Sequence, residues 1–394
     1  MDDKPIMQEQ RGSAIMPRIL MWGTYDLGKP RTRIIRQSFS KAGMEIHEIH
    51  FDVWQGVQDK SQINSFFQRM IILLKLLVYY PVLIARYLSS SHHDVVFVGY
   101  MGVFDILVLA PFARMRGVPI VWDAFLSVYD TVVNDRRMLR PSSPMARLLL
   151  WMERTACRLS TLVVLDTHAH AGLMARVLDL PADRFRAVMV GCEQNFRVKR
   201  SRHRPSKRTV LFYGQFIPLH GIETVVQAAQ SDRGRDWQWV LIGTGQESTR
   251  ITDMIERGDG SNIASIPWVH FDDLADHICK ADICLGIFGQ SEKAASVIPN
   301  KVFQVLATGM PLITRDSPAI RELIHDPQPG LYLIVPGNPE ALLDALDRFE
   351  REGEDLPEQL HDQIIARFLP AKLSRDWRTL VDEAVRLGGK RGHS

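Results

Sequence analysis

The chain has 394 residues, of which 46% are apolar and 24% charged. This is the mix of a soluble globular protein, and the length excludes a single ordinary core and suits two domains of roughly 150–200 residues. Its four cysteines (Cys157, Cys192, Cys279, Cys284) have neither CxxC nor zinc-like spacing, and the net charge of +3 hides an imbalance. Residues 1–208 carry 30 Lys and Arg against 18 Asp and Glu; the remainder carry 18 against 27. A basic first half points to an anionic surface or substrate, or to a solvated basic linker at RVKRSRHRPSKR (197–208). No nucleic-acid partner is expected.

Residues 1–16 are polar and read as a flexible N-terminus with no secretory signal, so a reduced, cytoplasmic setting is expected. The apolar run Arg18–Trp22 predicts the first strand. WGTYDLGKPR follows it: Gly23 and Gly28 make a polar loop before the helix Arg31–Ala42, with Asp26, Lys29 and Arg31 as polar side chains at a strand's carboxyl end. This is not GxGxxG, and no acidic residue ends the strand Ile46–Ile49, which argues against a nicotinamide enzyme. The alternative is a plain strand-to-helix loop.

Phe66–Leu88 contains MIILLKLLVYYPVLIA, broken by Lys75 and Pro81 and short of the ~20 apolar residues a span requires. Its Arg69, Lys75 and Arg86, with three tyrosines, suit a helix lying in a membrane interface; the alternative is a buried helix. Strands are predicted at Val95–Val98, Pro119–Trp122 and Leu162–Leu165, and helices at Phe104–Arg116, Met145–Arg158 and His168–Leu178. Asp123 ends its strand and suits the cap of the next turn; Asp130 and Arg136 follow in SVYDTVVNDRR.

The second half repeats the alternation, with strands at Thr209–Tyr213, Trp239–Ile242, Ile283–Ile287, Leu312–Thr314 and Leu331–Val335. Apolar strands alternating with helices imply parallel sheets covered on both faces. The expected fold class is α/β, two Rossmann-like domains facing across a cleft. Its parts are 17–196, a linker at 197–208, 209–368, and a last helix within 369–394 bent at Pro370.

Three loops in this half follow strands: YGQFIPLHG with Gly214, LIGTGQ with Gly243 and Gly245, and LGIFGQSEKAASVIPNK. The last leads into IPNKVFQVLATGMPLI, read as a helix start, a helix capped by Gly309, and a buried strand. Free amides of Val297, Ile298 and Asn300 beside Lys301 make a plausible diphosphate seat, to which Lys293 could add charge. Solvated surface lysines are the alternative for both.

In this order and spacing the landmarks resemble the family 4 nucleotide-sugar glycosyltransferases, which have the GT-B fold; the resemblance runs from about Pro17 to the C-terminus. It implies a retaining transfer from a UDP- or GDP-linked sugar to a lipid-linked or saccharide acceptor, in envelope glycolipid or polysaccharide synthesis. It implies no cofactor and no bound metal. Membrane contact through 66–88 would be peripheral, on the cytoplasmic face. The alternatives are a sugar-nucleotide epimerase of the same fold, or a non-catalytic nucleotide-sugar-binding scaffold.

The resemblance also assigns residues. It places Val269 and His270 against the base and ribose, Gly23 to Arg31 beside the reacting sugar and phosphate, and the last helix back across the first domain. Where relatives carry a histidine near the anomeric carbon stands Phe125, leaving Asp123 as the ionisable candidate for catalysis with Lys301. Two family acids correspond to Ser296 and Gln304, and a family Arg and Lys on the first loop correspond to Gln215 and His220. These departures leave the donor grip to Lys301, Lys293 and backbone amides.

Overall fold

The computed structural model describes residues 16–53, 66–197, 208–326, 328–353, 355–357 and 360–391, without the side chains of 66–73 and 390–391. The expected N-terminal tail and the basic linker therefore lie, but for Met16, Arg197 and Arg208, outside the described residues. The first sheet comprises β1 (Arg18–Gly23), β2 (Glu45–His50), β3 (Val95–Val98), β4 (Ile120–Phe125), β5 (Leu162–Leu165) and β6 (Phe185–Ala187). The second comprises β7 (Thr209–Tyr213), β8 (Gln238–Ile242), β9 (Ile263–Ile266), β10 (Ile283–Leu285), β11 (Leu312–Arg315) and β12 (Leu331–Ile334).

All pairs are parallel, in the orders β2-β1-β3-β4-β5-β6 and β12-β11-β10-β7-β8-β9. Such sheets are covered on both faces, so β3, β5 and β10 are buried at every position. The order reverses beside β1 in the first sheet and between β7 and β10 in the second. Ligands in open parallel sheets bind beyond the strand ends at such reversals. The edge strands β6 and β9 were not predicted, because Arg186 in one and a half-exposed IASI in the other lack the apolar run that marks a central strand.

Helices cover the first sheet as α1 (Pro30–Lys41), α2 (Phe66–Ser89), α3 (Val103–Met115), α4 (Pro144–Leu159) and α5 (His168–Leu178). The second sheet is flanked by α6 (Ile222–Gln230), α7 (Ser248–Arg257), α8 (Leu274–Lys280), α9 (Glu292–Ser296), α10 (Asn300–Ala307), α11 (Pro318–Leu323) and α12 (Pro339–Glu352). After the short α13 (Asp362–Ile365), α14 (Pro370–Arg391) returns to the first domain. There Trp377 sits edge-on to Phe39 and Phe97, each at 5.6 Å, and Arg186 pairs with Glu383 at 2.5 Å. Pro370 opens the helix, where a missing N–H costs nothing.

The long apolar helix α2 is buried along one side and exposed along another. Leu83 and Tyr87 are fully buried against the first sheet, whereas Leu74, Leu77 and Val78 are 53–63% exposed. Among the described residues no helix is long and apolar enough to cross a membrane.

Candidate functional site

The site is built around two glycine turns that touch. Gly214, after β7, and Gly243, after β8, have φ of 134° and 145°, a region only glycine adopts readily. A Cβ on Gly243 would stand 1.9 Å from the Gly214 carbonyl oxygen, so neither turn tolerates a side chain between them. A Cβ on Gly245 would stand 2.6 Å from the Phe216 carbonyl oxygen. The two loops thus present bare backbone at the reversal between β7 and β10.

Against this backbone lies Lys301, in the first turn of α10. It is 4% exposed, and its Nζ rests 3.7 Å above the centroid of Phe212 with no hydrogen-bond partner among the described residues. A Cβ placed on Gly214 would be 3.0 Å from that Nζ and 3.2 Å from the His220 ring, so the three groups meet. Burial alone drives the Lys301 pKa well below the usual lysine value. His220 is held by the Gln215 carbonyl through Nδ1. Burial, then the neighbouring Lys301, push its pKa well below 6.5, so it is neutral here. Gln304 accepts from the Tyr213 hydroxyl at 3.0 Å and is buried. An unpaired buried amine is costly unless an anion completes it.

Several sequence expectations change. Lys293 is turned to the first domain: it is 6% exposed, its Nζ donates to Thr131, and burial lowers its pKa against the opposing pull of Asp135 and Asp130. Not every amide before α10 is open either. That of Ile298 donates to Asp166 at 3.3 Å, and Pro299, rather than the first helical residue, is the extended cap. Ser296 turns its hydroxyl back to Glu292, and its carbonyl accepts from Thr167 of the first domain at 2.5 Å. Val269 is half-buried, and His270 is exposed beside Trp268.

In the first domain the β1 loop is pinned by hydrogen bonds. Thr24 donates from N and Oγ1 to Asp105 at 2.8 and 3.0 Å, beneath Gly23, whose φ of 127° leaves no room for a Cβ. Asp26 accepts from the Gly28 amide at 2.8 Å, a local turn, and Lys29 is the half-buried cap residue of α1. Arg31 and Asp123, expected at the phosphate and in catalysis, meet in a buried ion pair. Asp123 is 1% and Arg31 2% exposed, and the guanidinium meets the carboxylate at 2.6 and 3.1 Å. Arg31 also donates to the Val188 carbonyl at 2.6 Å and lies over Phe125 and Trp377. The Arg31 charge is thus balanced inside the first domain, and the Asp123 carboxylate is engaged by it.

The structure adds residues that the sequence reading passed over. Asp166 and Thr167 end β5 and begin α5; Asp166 is buried against His170 at 2.6 Å and reaches Ile298. Glu322 of α11 accepts from the His168 and Ala169 amides at 2.8 and 2.7 Å, capping α5 from the other domain. The only local signal was the Asp-Thr pair before a helix, which reads as a cap and says nothing of a partner across a cleft. Among the described residues no three His, Cys, Asp or Glu side chains are grouped to hold a metal ion.

With this geometry in view, the comparisons are informative. Residues 207–351 match the family described as Glycosyl transferases group 1. No curated protein sequence matches the chain. HepE of Anabaena, solved in complex with UDP, superposes with a TM-score of 0.63 at 11% identity, covering 93% of this chain and 100% of that one. Sucrose-phosphate synthase of Thermosynechococcus elongatus gives 0.63 at 15%, covering 96% and 98%. The lipopolysaccharide outer core galactosyltransferase WaaB gives 0.60 at 14%, covering 93% and 99%. The fold is GT-B. In GT-B terms the touching glycine turns and Lys301 belong to the C-terminal domain, within the segment that matches the glycosyltransferase family.

Proposed function

We propose that the chain is a retaining glycosyltransferase that takes a sugar from a UDP-linked donor to a lipid-linked or saccharide acceptor. The observation that carries the reading is the buried Lys301 Nζ, unpaired against the bare backbone of Gly214 at the β7–β10 reversal. A diphosphate there would supply the missing counter-charge and raise the Lys301 pKa back toward its ordinary value. Asp123 is engaged by Arg31, so the reading gives the acceptor proton to the leaving diphosphate and leaves the protein to position reactants and stabilise phosphate charge. HepE, solved with UDP, and WaaB, a lipopolysaccharide galactosyltransferase, support the donor and an envelope acceptor.

The acceptor side of the reading is a membrane surface. α2, α3 and α4 pack side by side and expose Leu77, Val78, Phe104, Met115, Leu148 and Trp151. The same helices expose Arg86, Arg114, Arg147 and Arg158, while their two acids, Asp105 and Glu153, are fully buried. Apolar side chains ringed only by cations suit an anionic lipid interface. In this reading 17–196 hold the acceptor, 209–368 the donor, and the protein works on the cytoplasmic face.

Thermal unfolding with UDP, GDP, ADP and NAD tests the donor assignment. A ligand at 100 times its Kd stabilises by about 2.7 kcal/mol. UDP should raise the Tm and NAD should not. Lys301→Ala should weaken UDP about 10–100-fold, the loss of one charge-assisted contact. No shift with any nucleotide would sink the reading.

A further inference from the structure

We propose that Asp166 and Thr167 of the first domain position the strap 296–299 of the second, and through it aim Lys301 at the diphosphate of the donor. The inference rests on the donor-site reading above and adds the positioning residues on which Lys301 depends. The strap joins the end of α9 to the start of α10, and Lys301 lies in the first turn beyond it. With no hydrogen bond to orient its Nζ, Lys301 takes its aim from where α10 begins.

The strap does not hold itself. Val297 and Pro299 are extended, with φ of −115° and −69° and ψ of 153° and 151°. Extended backbone forms no helical ladder, and proline has no N–H, so the remaining backbone groups need partners from elsewhere. The side chains are seated in apolar surroundings: Ile298 is 2% exposed, and Val297 packs with Ile217, Leu219 and Ala294. The backbone is gripped from the first domain. Thr167 Oγ1 donates to the Ser296 carbonyl at 2.5 Å, and Asp166 Oδ2 accepts from the Ile298 amide at 3.3 Å.

The two side chains that reach across are themselves fixed. Asp166 and Thr167 are 2% and 1% exposed, between the end of β5 and the start of α5. Thr167 is the extended cap residue of α5, and its Oγ1 accepts from the His170 amide at 3.0 Å. The cap occupies an acceptor site of the hydroxyl and leaves its proton for Ser296. The buried His170 meets Asp166 Oδ1 through Nδ1 at 2.6 Å, which turns Oδ2 toward Ile298. Glu322 makes a different contact between the domains: it caps the His168 and Ala169 amides from α11. The start of α5 therefore carries one pair of bonds that docks the domains and another that grips the strap.

Calorimetric titration of the full chain with UDP and with uridine tests this in wild type, Thr167→Val, Thr167→Ser, Glu322→Ala and Lys301→Ala. Thr167→Val keeps the shape but loses the hydroxyl; it should weaken UDP about fivefold or more and leave uridine within about twofold. Thr167→Ser, which restores the donor, should bind UDP within about twofold of wild type, and so should Glu322→Ala, which leaves the strap gripped. Thr167→Ala takes the place of Thr167→Val if the β-branched variant does not fold. Equal losses of UDP in Thr167→Val and Glu322→Ala overturn the inference, as do equal losses of UDP and uridine in Thr167→Val, since loosened docking would produce either. Normal UDP affinity in Thr167→Val, with Lys301→Ala impaired, overturns this inference alone. If Lys301→Ala also binds UDP normally, the donor seat itself is misplaced, and the reading beneath this inference fails with it.

Discussion

Asp123→Asn separates a catalytic carboxylate from a structural one. The pair it belongs to is almost wholly buried, and Arg31 makes its close contacts with Asp123 and the Val188 carbonyl. The substitution preserves shape but leaves the guanidinium inside the first domain without a counter-charge. Removing one partner of a buried pair costs about 3–5 kcal/mol. At about 2–4 °C per kcal/mol for domains of this size, the transition of the first domain should fall by about 10 °C. Scanning calorimetry reads it, with the two domains treated as separate transitions. Arg31→Met combined with Asp123→Leu, an apolar replacement of the whole pair, should recover most of the loss. Below the transition, Asp123→Asn should bind UDP within about twofold of wild type and release UDP from UDP-glucose at a comparable rate. An unchanged transition with abolished turnover would refute the structural assignment and restore Asp123 to the chemistry.

Two further predictions follow from burial. His361 donates to the Met310 carbonyl at 2.9 Å, and its Nδ1 is buried without a partner, so burial lowers its pKa from 6.5 to about 4. Its neutral form favours the fold above pH 6.5, and that contribution is lost as pH falls from 6.5 toward 4, by about 2 kcal/mol between pH 7 and 5. His361→Asn, which tolerates φ 71°, should flatten the difference between urea midpoints at the two pH values; an unchanged difference sinks the assignment. On α2, replacing Leu74, Leu77 and Val78 with Ser should leave the Tm nearly unchanged because these side chains are exposed. Sedimentation with anionic, but not neutral, vesicles should fall about tenfold or more. Equal sedimentation of variant and wild type would remove α2 from the membrane contact.

What the sequence determined is local. Runs such as VVFV and LVVL are buried strands because a parallel sheet covered on both faces needs unbroken apolar residues, and they were legible to the residue. Gly214 and Gly243 were legible as turns after strands, and Lys301 as a helix-start lysine, because strand ends and helix starts have fixed local chemistry. Tertiary structure decided which charges are free to act. Arg31 and Asp123 stand 92 positions apart, Lys293 and Thr131 162 apart, and Asp166 and Ile298 132 apart. A charged side chain reads alike in sequence whether it meets solvent, a ligand or a buried partner from the other domain. Only the fold brings Asp123 to Arg31 and Thr131 to Lys293, and leaves the buried Lys301 amine with no hydrogen-bond partner among the described residues.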